Sequence, residues 1–357
     1  MKVAGAWRRA IELGPDGDAV IVLDQTALPH HVRWLRIGEL AEAARAIRDM
    51  IVRGAPLIGA TAAYGVALAL RAGGALDDAC RTLAATRPTA VNLRWALAAM
   101  AGLADVAPGD RPDAAFALAG RICEDEVARC EAIGRHGLAL LEAIGRDRDR
   151  PIRVLTHCNA GWLATVDWGT ALAPVYRAHD AGIAVEVWVD ETRPRNQGLL
   201  TAWELAQHGV PHTVIADNAG GHLMQHGRVD LCIVGTDRTT RDGDVCNKIG
   251  TYLKALAAHD TGVPFYVAAP SPSIDWTIAR GADIPIEERA AAEIRRVTGT
   301  IDGAIAELEL VSAATPVANP AFDVTPARLV TALITERGTC AASADGLGAL
   351  FPEHACR

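Results

Sequence analysis

The sequence predicts an α/β protein in two parts: a small N-terminal domain with a short antiparallel sheet and helices, and a C-terminal domain built on a parallel sheet. Three observations carry this reading. Beyond residue 151, short apolar runs alternate with helical segments about 30 residues apart, the rhythm of repeated βαβ units. Those runs are almost continuously apolar, as strands covered by helices on both faces must be. Before residue 145 the pattern is different, with brief β-rich runs followed by stretches whose apolar residues recur at three and four.

In chain order, Ala19–Leu23 and His31–Leu35 read as strands of the N-terminal sheet. Residues 38–52 have amphipathic helical spacing. At Arg53-Gly54-Ala55-Pro56 a new helix is expected, with proline in its first turn and Gly54 free to adopt unusual backbone angles. The exposed N–H groups of such a helix, with Arg53 beside them, suit an anion; a plain helix–helix corner fits the spacing equally well. Arg87-Pro88 precedes a second helical run in the same way, either holding an anion or as an ordinary solvated arginine. Residues 111–144 read as one long helix. The charged, proline-ended segment 145–151 marks the boundary between a domain of 1–145 and a domain of 146–357.

The predicted strands of the second domain are Arg153–His157, Ala184–Val189, Thr213–Ala216, Leu231–Val234 and Pro264–Ala268. Polar, chemically capable residues follow them: Cys158-Asn159, Asp190 to Arg193, Asp217-Asn218, Asp237-Arg238 and Ser271. Open parallel sheets bind ligands at the carboxyl ends of their strands, so these groups share one rim. Cys158 is read in a tight turn between a strand and a helix N-terminus, a setting that favours a thiolate. Asp237 fits a carboxyl acid in an enclosed site, or a helix N-cap. Gln197 and Gly198 open a helix where an amide can reach sugar hydroxyls. Asn247 and Lys248 are expected in the first turn of a helix over 243–254, where a lysine opposed to the helix dipole suggests a bound anion; a solvated lysine pointing sideways fits equally well. A last helix is expected over 327–338.

Composition excludes several classes. The 357 residues are 50% hydrophobic, 4% aromatic, and carry a formal net charge of −8. Such a surface is poorly suited to nucleic acid. No apolar run suits a membrane span and the first ten residues hold no signal-peptide core, so a cytoplasmic location is expected. Eight cysteines, at 80, 123, 130, 158, 232, 246, 340 and 356, form no C-x-x-C pair and are expected as free thiols. His222 and His226 lack the glutamate of H-E-x-x-H, so no metal is expected there. Neither G-x-G-x-x-G nor G-x-x-x-x-G-K-[ST] follows the first strand of the second domain, which disfavours a nucleotide cofactor, and no G-x-S-x-G elbow is present.

Seven ordered segments, V-R-G-A-P-L-I-G, T-R-P-T-A-V-N-L, T-H-C-N-A-G, E-T-R-P, G-T-D-R, N-K-I-G-T-Y and D-I-P-I-E-E-R, span nearly the whole chain. Together they resemble the methylthioribose-1-phosphate isomerases, relatives of the initiation-factor exchange subunits and of ribose-1,5-bisphosphate isomerases. The resemblance implies a Rossmann-like C-terminal domain, a homodimer, no cofactor or metal, and isomerisation of 5-methylthioribose 1-phosphate to the ribulose 1-phosphate in methionine salvage. It implies catalysis by Cys158 and Asp237, and substrate binding by Arg53, Gly54, Ala55, Arg87, Gln197, Asn247 and Lys248. Alternatives within the same kinship are isomerisation of 5-deoxyribose 1-phosphate or of ribose 1,5-bisphosphate, and a non-catalytic regulatory subunit. The chain departs from the family pattern with G-T-D-R-T-T for G-A-D-R-I-A, C-N-K for A-N-K, and a Q-G-L-L-T-A segment one residue short.

Overall fold

A computed structural model describes residues 1–88, 90–146 and 149–354. Residues 147 and 148 of the expected boundary, Thr89, and the predicted free thiol Cys356 lie outside the described residues.

The second half is organised by a seven-stranded sheet, whose strands are numbered here in chain order. They are β1 (Ile152–Thr156), β2 (Val185–Asp190), β3 (His212–Ile215), β4 (Leu231–Val234), β5 (Phe265–Ala268), β6 (Ala332–Thr335) and β7 (Gly338–Cys340). Across the sheet they run β7-β6-β5-β4-β1-β2-β3. The first six are parallel and β7 is antiparallel. The chain winds outward one way from β1, then returns to place β4 on its other side. That reversal opens a crevice at the carboxyl ends of β1 and β4, where doubly wound sheets bind ligands.

The five expected strands fall within a residue or two of β1 to β5. The sixth was misread: the helix expected over 327–338 is a single turn at Ala327–Leu329, then β6 and β7. Val330-Thr331-Ala332-Leu333-Ile334 is a short apolar run rich in β-branched residues, which periodicity alone does not separate from a buried helix. Pairing with β5 in register, Tyr266 opposite Ala332, decides it.

A second correction concerns Asn247 and Lys248. They lie in a strand, Val245–Lys248, and the helix starts only at Thr251 after Gly250 at φ +101°. This strand pairs with Arg238–Thr240 and with Phe322–Thr325. The helix-dipole argument for Lys248 therefore does not apply. A third correction is that no helix directly follows Cys158. A 3-10 turn at Trp162–Ala164 comes next, and helix begins at Ala173. Asp237 likewise is no helix N-cap, since a strand follows it.

The N-terminal part holds a three-stranded antiparallel sheet, Ile11–Leu13, Val20–Leu23 and Trp34–Ile37, the last displaced three residues from its expected start. Helices Leu40–Arg48, Ala55–Arg71, Leu76–Ala84, Val91–Ala101 and Arg111–Gly145 follow. The 35-residue helix Arg111–Gly145 packs on Ala55–Arg71 and on Ala173–Asp180, so one apolar core runs from Met1 to Ile334 through both parts. Small residues make these crossings close: a Cβ on Gly137 would come within 2.2 Å of Pro174. Among the described residues no helix is long and apolar enough to cross a membrane.

Gly198 illustrates how closely the rim is packed. A Cβ there would sit 1.8 Å from the Asp190 carbonyl oxygen, a backbone atom that cannot swing away. Gly198→Ala is expected to destabilise the protein by about 2 kcal/mol or more, measured by urea unfolding. An unchanged midpoint would contradict the packing.

Candidate active site

All nine positions singled out from sequence line one cavity of about 60 Å³ at the reversal of strand order. Cys158 follows β1 and Asp237 follows β4, so the two flank the crevice. Arg53, Gly54, Ala55 and Arg87 come from the N-terminal part and close it from the other side. Gly54 has φ +94°, and a Cβ on it would meet the Ala164 carbonyl at 2.3 Å. Glycine is thus required both by the backbone and by the close approach of the two parts.

The Cys158 turn is built with care. Cys158 itself has φ +69°, a conformation that non-glycine residues hold only when their surroundings enforce it. Its N–H donates to Thr192 Oγ1 at 2.8 Å, and its carbonyl accepts from Thr201 Oγ1 at 2.8 Å. Thr192, at φ +62°, is in turn held by Asp217, which accepts from its N–H and from that of Arg193. Asp217 is therefore a support for this rim.

Arg53 reaches across the seam to donate to Asn159 Oδ1 at 2.5 Å and to the Asn159 carbonyl at 2.8 Å. The amide is oriented from behind by the fully buried Glu204, which accepts from Asn159 Nδ2 at 2.8 Å and from the Leu163 N–H at 3.1 Å. Burial pushes the Glu204 carboxyl up to about 8, against those donors. Sequence reading passed over Glu204, though an acid on the apolar stripe with Leu200, Thr201 and Leu205 is a signal for a partnered interior group. Lys248 is buried, with Nζ donating to the Ala321 carbonyl at 2.8 Å and lying 4.6 Å from the Phe322 ring. Gln197 is 5% exposed, with no hydrogen-bond partner for Oε1, and Arg87 Nε is likewise unpartnered. Two buried polar atoms beside a cavity await a polar ligand.

Burial and the surrounding charges act in opposite directions on the central pair. Burial raises the Cys158 thiol, with Arg53 and Lys248 pulling it back and Asp237 pushing it further up. Burial also raises the Asp237 carboxyl, opposed by Lys248, Arg87 and Arg53. The helix N-terminus expected to lower the Cys158 thiol is absent from its own loop, so the pull on it comes from Arg53 and Lys248. What the site brings together is a buried carboxyl raised by burial, a buried thiol, and the side chains of Arg53, Arg87 and Lys248.

Among the described residues, His157, Asp190 and Asp217 form the group whose donor atoms lie close enough to hold a metal. Lys254 Nζ is already 3.1 Å from Asp190 Oδ2 and supplies positive charge there. His222 and His226 stand on the helix Ala219–Gln225, their rings 4.2 Å apart, with His226 Nδ1 bonded to the His222 carbonyl. The seven described cysteines are all free.

A sequence profile of the Initiation factor 2 subunit family matches residues 51–342. Methylthioribose-1-phosphate isomerase of Rhodospirillum rubrum is 62% identical over 368 residues, covering 99% of this chain and 94% of that protein. The chain belongs to the methylthioribose-1-phosphate isomerase branch of the initiation factor 2 subunit family. The isomerase of that name from Methylorubrum extorquens is 63% identical over 360 residues, with 99% of each covered. The crystal structure of 5-methylthioribose 1-phosphate isomerase from Pyrococcus horikoshii superimposes with a TM-score of 0.84 at 38% identity, covering 97% of this chain and 96% of that one. A structure described as translation initiation factor eIF-2B, subunit delta, from A. fulgidus gives 0.80 at 38% identity over 97% and 100%. Members of this family thus share the fold under both enzymatic and regulatory names, so activity must be argued from the site.

Proposed function

We propose that the chain isomerises 5-methylthio-α-D-ribose 1-phosphate to 5-methylthio-D-ribulose 1-phosphate in methionine salvage, with Cys158 and Asp237 as the catalytic pair. The observation that carries this reading is the pair itself, facing one cavity between three cations. A regulatory subunit has no need of a buried acid and thiol set among phosphate-binding groups. The high identity to relatives bearing the isomerase name supports the same conclusion.

The chemistry explains why both groups are needed. A phosphate on the anomeric carbon masks the aldehyde, so the ring must open while the phosphate stays. Asp237, whose carboxyl is raised by burial, donates a proton to the ring oxygen as the C1–O bond breaks. The C2 proton leaves to Cys158 and returns to C1, and the C2 hydroxyl proton restores the Asp237 acid. Atoms and charge balance with no external reductant. For this path Cys158 acts as a thiolate, favoured by Arg53 and Lys248. Arg53, Arg87, Lys248 and the N-terminus at Gly54-Ala55 bind the phosphate; Gln197 and Asn247 serve the sugar hydroxyls.

The outer surroundings favour the methylthio substrate over a bisphosphate. A cavity of about 320 Å³ adjoins the site, sharing Met50, Arg53 and Gln197 with it. Its own arginines are already neutralised: Arg195 pairs with Glu293 at 2.9 Å and Arg296 with Glu307 at 3.1 Å. Among the described residues, the two arginines that line only this outer cavity are both paired with glutamates, while Leu28, Leu200 and Val297 suit an apolar substituent. A cytoplasmic homodimer accompanies this reading.

The deciding experiment compares turnover of 5-methylthio-, 5-deoxy- and 5-phospho-ribose 1-phosphates. The methylthio compound is expected to have the highest kcat/KM. Preference for the 5-phospho compound, or turnover of none, would overturn the assignment. Lys248→Met is expected to raise KM by about 10- to 100-fold through loss of a charge-assisted contact. Because Lys248 lowers both the Cys158 and Asp237 pKa values, its removal raises them. Both limbs of the pH–rate profile should therefore move to higher pH. Unmoved limbs would place Lys248 outside the pair's field.

A further inference from the structure

Arg53 and Gly54 belong to the N-terminal part, yet the groups that hold them lie in the other part and converge on one side chain. That side chain is Glu204, on the helix Gln197–His208, fully buried behind the cavity. A guanidinium can only donate, so the Asn159 side-chain oxygen faces Arg53 and the amide nitrogen points away from it. That nitrogen donates to Glu204 Oε1 at 2.8 Å and to Thr201 Oγ1 at 3.1 Å. Oε2 of Glu204 accepts from the Leu163 N–H at 3.1 Å, and the Trp162 N–H is a further donor to the carboxyl. A carboxyl keeps acceptor sites on both oxygens whether or not it carries a proton, so the arrangement does not depend on its charge.

We propose that Glu204 is a positioning residue for phosphate binding, fixing Arg53 through Asn159 and the backbone against Gly54 through Leu163. This deepens the isomerase reading and rests on the phosphate role given there to Arg53. Two branches leave the carboxyl. One runs through Asn159 to the guanidinium, which is gripped at two points, by Oδ1 at 2.5 Å and by the Asn159 carbonyl at 2.8 Å. The other runs through the Leu163 N–H into the turn Trp162–Ala164. The Ala164 carbonyl of that turn packs on Gly54 so closely that a Cβ there would stand 2.3 Å from it. Gln25 Nε2 donates to the Leu163 carbonyl at 2.6 Å, so this turn is also tied to the N-terminal part. Gly161, between the two branches, makes room for the carboxyl: a Cβ on it would fall 1.5 Å from Glu204 Oε1. The glycine of T-H-C-N-A-G is thus required by Glu204.

Glutamine is the informative replacement. It keeps the size of the side chain but offers one oxygen and one NH2 group. Whichever way it turns, its NH2 faces either the Asn159 NH2 or the Leu163 N–H, so one branch is broken. Adding Asn159→Asp reverses the polarity of the link. The new aspartate accepts from Arg53 on one oxygen and from the new glutamine on the other, and the glutamine oxygen accepts from Leu163.

The test combines a direct view of Arg53 with binding and turnover. In the full-length protein labelled with 15N-arginine, the Arg53 side-chain N–H groups are assigned by their loss in Arg53→Lys. They are expected to give separate, slowly exchanging signals in the absence of any ligand. A freely rotating Arg53 guanidinium in the wild type overturns the proposal, and this observation needs no Glu204 variant to fold. In Glu204→Gln, KM for 5-methylthioribose 1-phosphate is expected to rise about tenfold or more, with kcat within about threefold of wild type. The Kd of inorganic phosphate, measured by calorimetry, should rise with it. The double variant Glu204→Gln with Asn159→Asp is expected to return both constants to within about threefold of wild type. A folded Glu204→Gln with wild-type KM and Kd, a loss confined to kcat, or a folded double variant that recovers neither constant overturns the proposal. Absence of turnover in the wild type would sink the isomerase reading instead, leaving the Arg53 signals and the phosphate Kd to judge Glu204.

Discussion

Asp237→Asn is expected to lower kcat by about 10²- to 10⁴-fold, the usual range for a lost general acid. The isostere keeps the shape of the side chain and removes the proton that opens the ring. Stability provides the control. Burial raises the Asp237 carboxyl in the folded protein. An acid whose folded pKa lies above its unfolded value binds more protons when folded, so its contribution to stability falls as pH rises from the unfolded toward the folded pKa. At a pH above the folded pKa the ionised carboxylate is then a net burden, and the amide relieves it. The variant should melt no lower than the wild type at that pH. Loss of activity together with a lowered Tm would assign Asp237 to structure, and near-normal turnover would remove it from the reaction.

Cys158→Ser is expected to lose activity by about 10²-fold or more, because a serine hydroxyl neither ionises in this environment nor carries a proton at the required basicity. The change is one atom at a turn held through backbone groups by Thr192 and Thr201, so folding should survive. Isotopes define what the sulfur does. In heavy water the wild-type product is expected to gain deuterium at C1, since a proton parked on sulfur exchanges with solvent. Complete retention of a C2 deuterium label would instead assign a direct hydride shift, leaving Cys158 to stabilise charge.

The parts of the fold readable from sequence were those set by local pattern. Continuous apolar runs located β1 to β5, and the Arg-Gly-Ala-Pro step located a helix start at Ala55. Residues 330–335 and 245–248 were misread for one reason: short apolar or mixed segments take their state from the strand beside them. β6 is a strand because β5 lies alongside, and Lys248 is in a strand because Phe322 lies opposite. Cys158 and Asp237 were legible as polar groups following predicted strands, Arg53, Arg87, Gln197 and Lys248 as polar groups at expected helix starts, and Ala55 only through the family resemblance; the cavity gathers all nine positions. What sequence could not supply was the supporting layer. The hold of Glu204 on Asn159 and the two contacts of the His157 ring are visible only once residues some 30 to 90 positions apart meet. The burial that opposes ionisation of Cys158 was likewise not legible, nor were the Arg53 and Lys248 charges that pull its thiol back down.

The late position of β6 has a consequence for how the molecule is made. Until residue 332 has left the ribosome, β5 has a bare flank: a row of unpaired amides on a fully buried, apolar strand, open to any extended chain nearby. The strand that covers it, and the three-residue β7 that finishes the edge, are almost the last structured segments to be synthesised. Premature stops before Ala332 should therefore yield sticky, insoluble fragments even though every side chain of the reaction centre has already been translated.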